Sequence, residues 1–374
     1  MPHTMQSKVF EITKLGECRI KSPLYDTGFH FHRDDESVML ERDYNVLKAG
    51  VEKDGFVPVF ERAGARKMIF HDPRWSKAAI LTAGGLCPGL NSVIKGITLT
   101  LKQIYGVPMV YGIPYGYEGL NPDFGHTPRV LTEEIVDNIH EDGGTIIGSS
   151  RGQQDPVKML ETLVRMDVNM LFCIGGDGTL RCAHEIAVEA QRQKLNISVI
   201  GIPKTIDNDI CFMDRTFGFE TAVYATNSVI TAAHNEANGA MNGVGLIHVM
   251  GRDSGFIAAY ASLANTQVNF CLVPEVKFNL ESGPRALLPV LFDRLKRRRH
   301  AVIVVAEGAG QDLISGERER DKSGNILHKN IGLFLKGEIQ KYANKTGMEV
   351  NVKYFDPSYQ IRAIPAIGTD AVFC

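Results

Sequence analysis

The stretch Gly201 to Ile210, GIPKTIDNDI, follows a β-like run and places two carboxylates, Asp207 and Asp209, on either side of Asn208. Lys204 and Thr205 stand directly before them. A carboxylate within reach of an acceptor hydroxyl can serve as the base in phosphoryl transfer, where positioning and electrostatics do most of the catalysis. The second acid would then hold the loop or help with a metal, and the hydroxyl and cation suit steadying a transferred group. An Asx-turn also fits the triplet DND, but leaves the Lys-Thr pair unexplained. Metal site, general base and turn all remain open on this stretch alone.

Six loops of related character end apolar runs: TAGGLCPGLN, GSSRGQQD, IGGDGTLR, PKTIDND, VMGRDSG and VAEGAGQ. Glycines at Gly84, Gly85, Gly175, Gly176 and Gly178 let backbone amides approach an anion, and the helices that follow would turn their positive ends toward it. One such loop is equally a tight strand-to-helix turn. Two of them, with Arg151 and Arg252 in sibling loops, point to phosphate. Asp177 follows two glycines at a strand end, where it would either cap a helix or, beside a phosphate cradle, hold Mg²⁺ directly or through water. The chain has no GxxxxGK[ST] and no intact GxGxxG, so neither a P-loop nor a dinucleotide fingerprint is supported. HRD at His32 to Asp34 and DFG at Asp123 to Gly125 are accidental, because Met39 stands where a protein kinase needs asparagine.

The elements that must position these loops are short apolar runs alternating with amphipathic stretches: AAILTAGG, MVYGIPYG, TIIGSS, MLFCIGGDG, ISVIGIPKT, VGLIHVMG, NFCLVPEV and AVIVVAEGAG. Helices are expected over Asp155 to Met166, with Val157, Leu160 and Val164 on its apolar face, and over Thr179 to Gln193. A longer one, Glu220 to Asn238, would cross between two lobes. Strand and helix in alternation mean right-handed βαβ units and mostly parallel sheets covered by helices, an α/β fold whose ligands bind at the carboxyl ends of the strands. Residues 1–75 read as an extension without sustained alternation, packed onto the body. Lobes are expected at 76–217 and 218–374, the C-terminal part being placed in the second or returning to the first.

With 44% hydrophobic and 22% charged residues and a net charge of -2, the composition is that of an ordinary globular protein and excludes a nucleic-acid clamp. Seven cysteines without a CxxC pair point to a reducing, intracellular setting. The first twenty residues lack the apolar core of a secretory leader, and no run approaches the roughly 18 apolar residues of a membrane span. The basic run Arg294 to His300 is read as a solvated helix end, with an anionic effector site as the other reading.

Taken in order, GGLCPGLN, GGDGT, PKTIDND, MGRDSG, PEV, AEGAG and DPSYQIR resemble the phosphofructokinase family from about Lys77 to the C-terminus. GGLCPGLN, DPSYQIR and the N-terminal extension are especially similar to its long plant and kinetoplastid members. The resemblance implies two Rossmann-like lobes, the first for the phosphoryl donor and the second for fructose 6-phosphate. It also implies a Mg²⁺-dependent glycolytic kinase, cytoplasmic or glycosomal, working as a dimer or tetramer without nucleic acid or membrane. Carried over residue by residue, Asp207 would be the base, with Thr205, Lys204 and Arg252 beside the reacting groups. Asp177 would place Mg²⁺, and Gly85, Arg151, Gly176, Gly178 and Thr179 would line ATP. Thr205, Asp207, Asp209, Met250, Gly251, Arg252, Glu307, Tyr359 and Arg362 would hold the sugar phosphate.

Donor choice turns on two residues. Pyrophosphate-using members carry Asp where this chain has Gly178, which favours ATP, whereas Lys204 is the residue typical of those same pyrophosphate enzymes. The pairing of the two resembles kinetoplastid ATP enzymes, so ATP is expected and pyrophosphate is the alternative. Kinases of NAD or diacylglycerol share GGDGT but not the remaining series, and a non-catalytic subunit would have lost the acid or the glycine cradle. Gly243 stands where short bacterial members place an arginine toward a neighbouring subunit. Long members usually continue beyond the position of Cys374, so an effect on assembly or regulation is expected. Glu275 with the basic run matches a bacterial effector region.

Overall fold

The computed structural model describes residues 12–55, 59–283, 285–320 and 326–374. Residues 1–11, part of the stretch read above as lacking a leader, lie outside them. In the first lobe the strands are β1 (Lys77–Ala83), β2 (Met109–Ile113), β3 (Arg129–Val130), β4 (Ser149–Ser150), β5 (Met170–Gly175) and β6 (Ser198–Pro203). Their order is β6-β5-β1-β2-β3, with β4 beside β1. All pairs are parallel except β2 with β3, where Tyr111 lies opposite Val130. The chain winds outward in both directions from β1 and β5, so the crevice for a ligand opens where these two strands end.

The second sheet is wholly parallel, in the order β8-β9-β7-β10, from β7 (Gly243–Val249), β8 (Phe270–Leu272), β9 (His300–Ala306) and β10 (Asn351–Phe355). Every residue of β7 is buried, as expected of a central strand covered on both faces. The helices labelled here are α1 (Leu90–Leu99), α2 (Pro156–Arg165), α3 (Asp177–Arg192), α4 (Phe219–Asn238), α5 (Phe256–Ala264), α6 (Leu287–Arg298), α7 (Ile331–Thr346) and α8 (Ser358–Arg362). α2 starts where Asp155 accepts from the Val157 amide and Pro156 occupies the first turn. α4 is the expected crossover, and it packs against β7, β9 and β10. One buried cluster runs from Ile80 and Ile94 through Ile230 to Ile247 and Val304 and is shared by both sheets, while each sheet has a further cluster of its own.

Several elements differ from the sequence reading. The buried face of α2 is Met159, Leu160 and Leu163, whereas Val157 and Val164 are exposed. Of TIIGSS, only Ser149 and Ser150 pair as a strand. The preceding turn bends at Gly148 and lays Ile147 into the space that glycine leaves at Gly112. β10, NVKYF, was not anticipated, because its polar residues hide an edge strand. The N-terminal extension contains a helix, Tyr44–Asp54, capped by Asp43, and two short antiparallel pairs. It touches the body where Arg42 pairs with Asp214 and Phe60 meets Phe212.

Beyond β10 the chain lies against the Gly143 turn and then passes to the start of α4. Asp370, fully buried, accepts from the amide and hydroxyl of Thr221 at 2.7 and 2.6 Å. Gly143 lies so close that a Cβ there would sit 1.9 Å from the Ala363 carbonyl oxygen.

Candidate active site

A cavity of about 610 Å³ lies where the strand ends of both sheets face each other. All the site residues expected from the sequence line it except Gly251, which sits behind Met250 and Arg252. Gly251 has φ +149, and a side chain there would clash with the Ser254 carbonyl, so its part is in the turn.

The first lobe supplies two glycine loops. After β1, the Gly84 amide donates to the Ser150 carbonyl at 2.9 Å, and the Ser149 hydroxyl donates to the Gly84 carbonyl at 2.7 Å. A Cβ at Gly85 would lie 3.6 Å from a guanidinium nitrogen of Arg151 and 3.7 Å from one of Arg362. Two cations thus lie against the main chain at Gly85, at distances a methyl group would also tolerate. After β5, α3 opens at Asp177 with the N-terminal amides that every helix leaves unpaired. Asp177 is exposed, and a side chain added at Gly178 would meet nothing within 4 Å. Packing does not demand glycine at 178, and its effect is to leave space. Thr179 is buried, and its carbonyl accepts from the Tyr117 hydroxyl at 2.7 Å.

The acidic stretch follows β6 as a tied loop. The Thr205 hydroxyl accepts from the Asp207 amide at 3.1 Å and donates to Asp209 at 2.7 Å. Asn208, at φ +56, accepts from the Thr216 amide at 2.9 Å. The turn bond here is therefore of the Ser/Thr kind, from the Asp207 amide to Thr205, while Asn208 ties the loop to Thr216 eight residues on; among the described residues no Asx-turn bond forms at DND. The Ser254 hydroxyl reaches the Asp207 carbonyl at 3.1 Å and fastens the loop to the second lobe. One oxygen of the Asp207 carboxylate is buried with no hydrogen-bond partner among the described residues. Burial, reinforced by Asp209 and Glu307, lifts its pKa to about 7 against the opposing pull of Arg252 and Lys204.

Lys204 lines the cavity and also links its loops. Its buried ammonium donates to the Gly85 carbonyl at 2.8 Å, tying the two loops together, and burial lowers its pKa. The second lobe contributes Met250 and Arg252 after β7 and Glu307 after β9. Glu307 accepts from the Arg252 amide at 2.6 Å, which fixes Arg252 at φ +47. Tyr359 and Arg362 come from α8, with the guanidinium 4.5 Å from the ring centroid.

Sequence reasoning missed His248, His328, Lys329 and Asn330, which also line the cavity. His248 stands two residues before Met250 on β7, where strand alternation could have revealed it. The others arrive on a segment ahead of α7 that carries no signal of its own. The basic run behaves as a helix end: Arg297 pairs with Asp293 on the same helix, and Arg294 donates to the His300 carbonyl. It precedes β9, whereas Glu275 follows the parallel strand β8, so one chain holds them at opposite ends of the sheet. Gly243 opens β7 with its α-carbon against α4, where a Cβ would be 2.1 Å from the Ala237 oxygen. No arginine fits there in this packing.

The family model for phosphofructokinase matches residues 77–373. The chain is 45% identical to an ATP-dependent 6-phosphofructokinase of Borreliella burgdorferi, over 98% of its own length and 83% of the relative's. It is 44% identical to the enzyme of that name from Entamoeba histolytica, over 97% and 81%. For the one from Trypanosoma brucei brucei the figures are 48% identity over 84% and 64%. Among solved structures, a pyrophosphate-dependent phosphofructokinase from Marinobacter aquaeolei superposes with a TM-score of 0.65 at 23% identity, covering 79% of this chain and 72% of that one. Phosphofructokinase from Saccharomyces cerevisiae gives 0.64 at 23%, covering 80% and 40%. These last two establish the fold, and with the family match spanning both sheets and every loop of the cavity, the chain belongs to the phosphofructokinase family.

Proposed function

We propose that this chain is an ATP-dependent 6-phosphofructokinase, transferring the γ-phosphoryl group of ATP to the 1-hydroxyl of fructose 6-phosphate. The observation that carries this reading is Asp207, a buried carboxyl raised to about 7, between a glycine-lined wall and an arginine-lined one. In the charged form it takes the proton of the 1-hydroxyl as that oxygen attacks phosphorus, and ADP leaves. Thr205 holds the loop that presents it. Residues 76–217 form the donor lobe and 218–374 the acceptor lobe, the last part returning to the first.

Gly85, Arg151, Gly176, Gly178 and Thr179 receive the donor phosphates, while Met250, Arg252, Glu307, Tyr359 and Arg362 hold the sugar phosphate. Among the described residues no three metal-binding side chains cluster. That suits Mg²⁺, which is usually held by one or two carboxylates and the phosphates themselves. Asp177, exposed at the cavity, is the residue for it, and Mg²⁺ when bound neutralises charge on the donor oxygens. Asp209, engaged by Thr205, braces the loop.

The open space at Gly178 favours ATP, as do the relatives' names, while Lys204 keeps pyrophosphate as the second reading. Initial rates with fructose 6-phosphate and Mg²⁺ decide between them. Turnover with ATP and none with pyrophosphate is expected, and the reverse would overturn the donor assignment. A cytoplasmic dimer or tetramer completes the proposal. Leu263 and Tyr260 on α5 are exposed apolar side chains that subunit contact would cover. No helix among the described residues is long and apolar enough to cross a membrane.

A further inference from the structure

We propose that His248, braced by Asp356, binds the phosphate of the sugar substrate, and that it does so as an imidazolium. This rests on the acceptor being a sugar phosphate. His248 lies on β7 in the cavity wall, and its residue surface is 7% exposed. Its Nδ1 is 3.1 Å from an Asp356 oxygen, and its Nε2 is buried with no hydrogen-bond partner among the described residues. A buried polar nitrogen without a partner is costly. The cavity that His248 lines can supply one.

The surroundings are built to hold this ring. The same Asp356 oxygen accepts from the Tyr354 hydroxyl at 3.2 Å, and Tyr354 exchanges a hydrogen bond with Asn330. The other Asp356 oxygen accepts from the Ser358 amide and hydroxyl, at the start of the helix that carries Tyr359 and Arg362. Burial opposes charge on Asp356, but the bonds from Ser358 and His248 outweigh it and keep the carboxyl below its ordinary range. The brace is therefore an anion at neutral pH.

A neutral imidazole has one N–H and one lone pair. If the proton is on Nδ1, facing Asp356, a lone pair is left for the phosphate. If it is on Nε2, a lone pair is turned on Asp356. Only the doubly protonated ring donates to both anions, so binding of a phosphate dianion draws a proton onto His248. Charged and titratable groups lining the same cavity include Lys204, Asp207 and Asp209 ahead of His248 in the chain and Arg252, Glu307, His328, Lys329, Tyr359 and Arg362 after it, with Tyr354 packed beside the ring. His328 is similarly held, 3.0 Å from Asp253.

The test is calorimetric binding of fructose 6-phosphate, and of fructose as the analogue without phosphate, to the full chain with no donor present. The range from about pH 7 to about pH 9 keeps the phosphate dianionic. Loss of one charge-assisted hydrogen bond predicts that His248→Gln weakens fructose 6-phosphate binding about 10- to 100-fold and leaves fructose binding unchanged. With Asp207→Asn as the background, so that the carboxyl at about 7 does not titrate, affinity should fall as pH rises, the slope should vanish when His248→Gln is added, and His248→Lys should restore affinity without the slope. Binding within twofold of wild type with the slope intact would overturn the proposal, as would a slope that disappears in His328→Gln instead.

Should His248→Gln fail to fold, judged by circular dichroism, Asp356→Asn decides. Weaker binding with the fall moved to lower pH supports the proposal, and unchanged binding defeats it. Sugar-phosphate binding without turnover from ATP would refute the kinase reading, while these affinities would still decide the role of His248.

Discussion

Asp207 combines two properties that pull in opposite directions. Its burial would suit the proposed base to neutral pH, and the same burial makes its charge expensive. Turnover should therefore fall as pH drops through about 7, read as kcat with both substrates saturating. Asp207→Ser should lower kcat by about 10³ or more while leaving the KM for fructose 6-phosphate within a few-fold. Because the folded pKa lies above the unfolded one, Asp207 binds a proton more tightly when folded, and its burial costs stability increasingly between about pH 4 and 7. Asp207→Asn should accordingly raise Tm at pH 8, by about 2–5 °C. An unchanged Tm would mean that the carboxylate is better compensated than its orphaned oxygen indicates. Gly178 offers the complementary experiment: Gly178→Asp meets no steric obstacle from the protein, so loss of ATP use would come from charge and occupied space at the donor. A drop of at least about tenfold in kcat/KM for ATP is expected, compared directly with pyrophosphate in initial-rate assays.

At the scale of elements, the site was legible wherever chemistry is local to a strand end. The glycine loops, the acids after β6 and the Met-Gly-Arg turn after β7 all announce themselves by residue type within a few positions. Lys204 shows where that stops: its type was readable, but its bond to Gly85, 119 residues away in sequence, was not. His328 to Asn330 join the cavity through the path of the chain before α7, which no short window encodes. The start of α4 is another such case. Gly218 there provides no side-chain cap, and the Thr221 amide is satisfied by Asp370 from 149 residues away. Asp370→Ala would leave a buried amide and hydroxyl unmet and should cost about 2–4 kcal/mol, measured by urea denaturation. A cost below about 0.5 kcal/mol would show that α4 closes its own end.

For the whole molecule, the α/β class and the parallel sheets followed from the alternation of apolar runs, because strands buried along all or nearly all their length, such as β7 and β9, have almost no polar residues to obscure them. The polar edge strand β10 escaped for the opposite reason. Neither sheet makes the cavity alone, since the loops of both line it. The return of residues 356–374 to the Gly143 turn and the start of α4 adds a constraint on order in time. Lys77 to Pro203 contain every strand of the first sheet, yet the cover of the Gly143 turn and of the start of α4, begun by Asn91, Cys87 and Pro88, is completed by residues from the far end of the chain. As the polypeptide is synthesised, the half built on the first sheet therefore waits, incompletely packed, until the second sheet and the returning segment have been made. The two halves of the catalytic cavity become competent together, and a ribosome-bound fragment that stops short of that segment has nothing finished to expose.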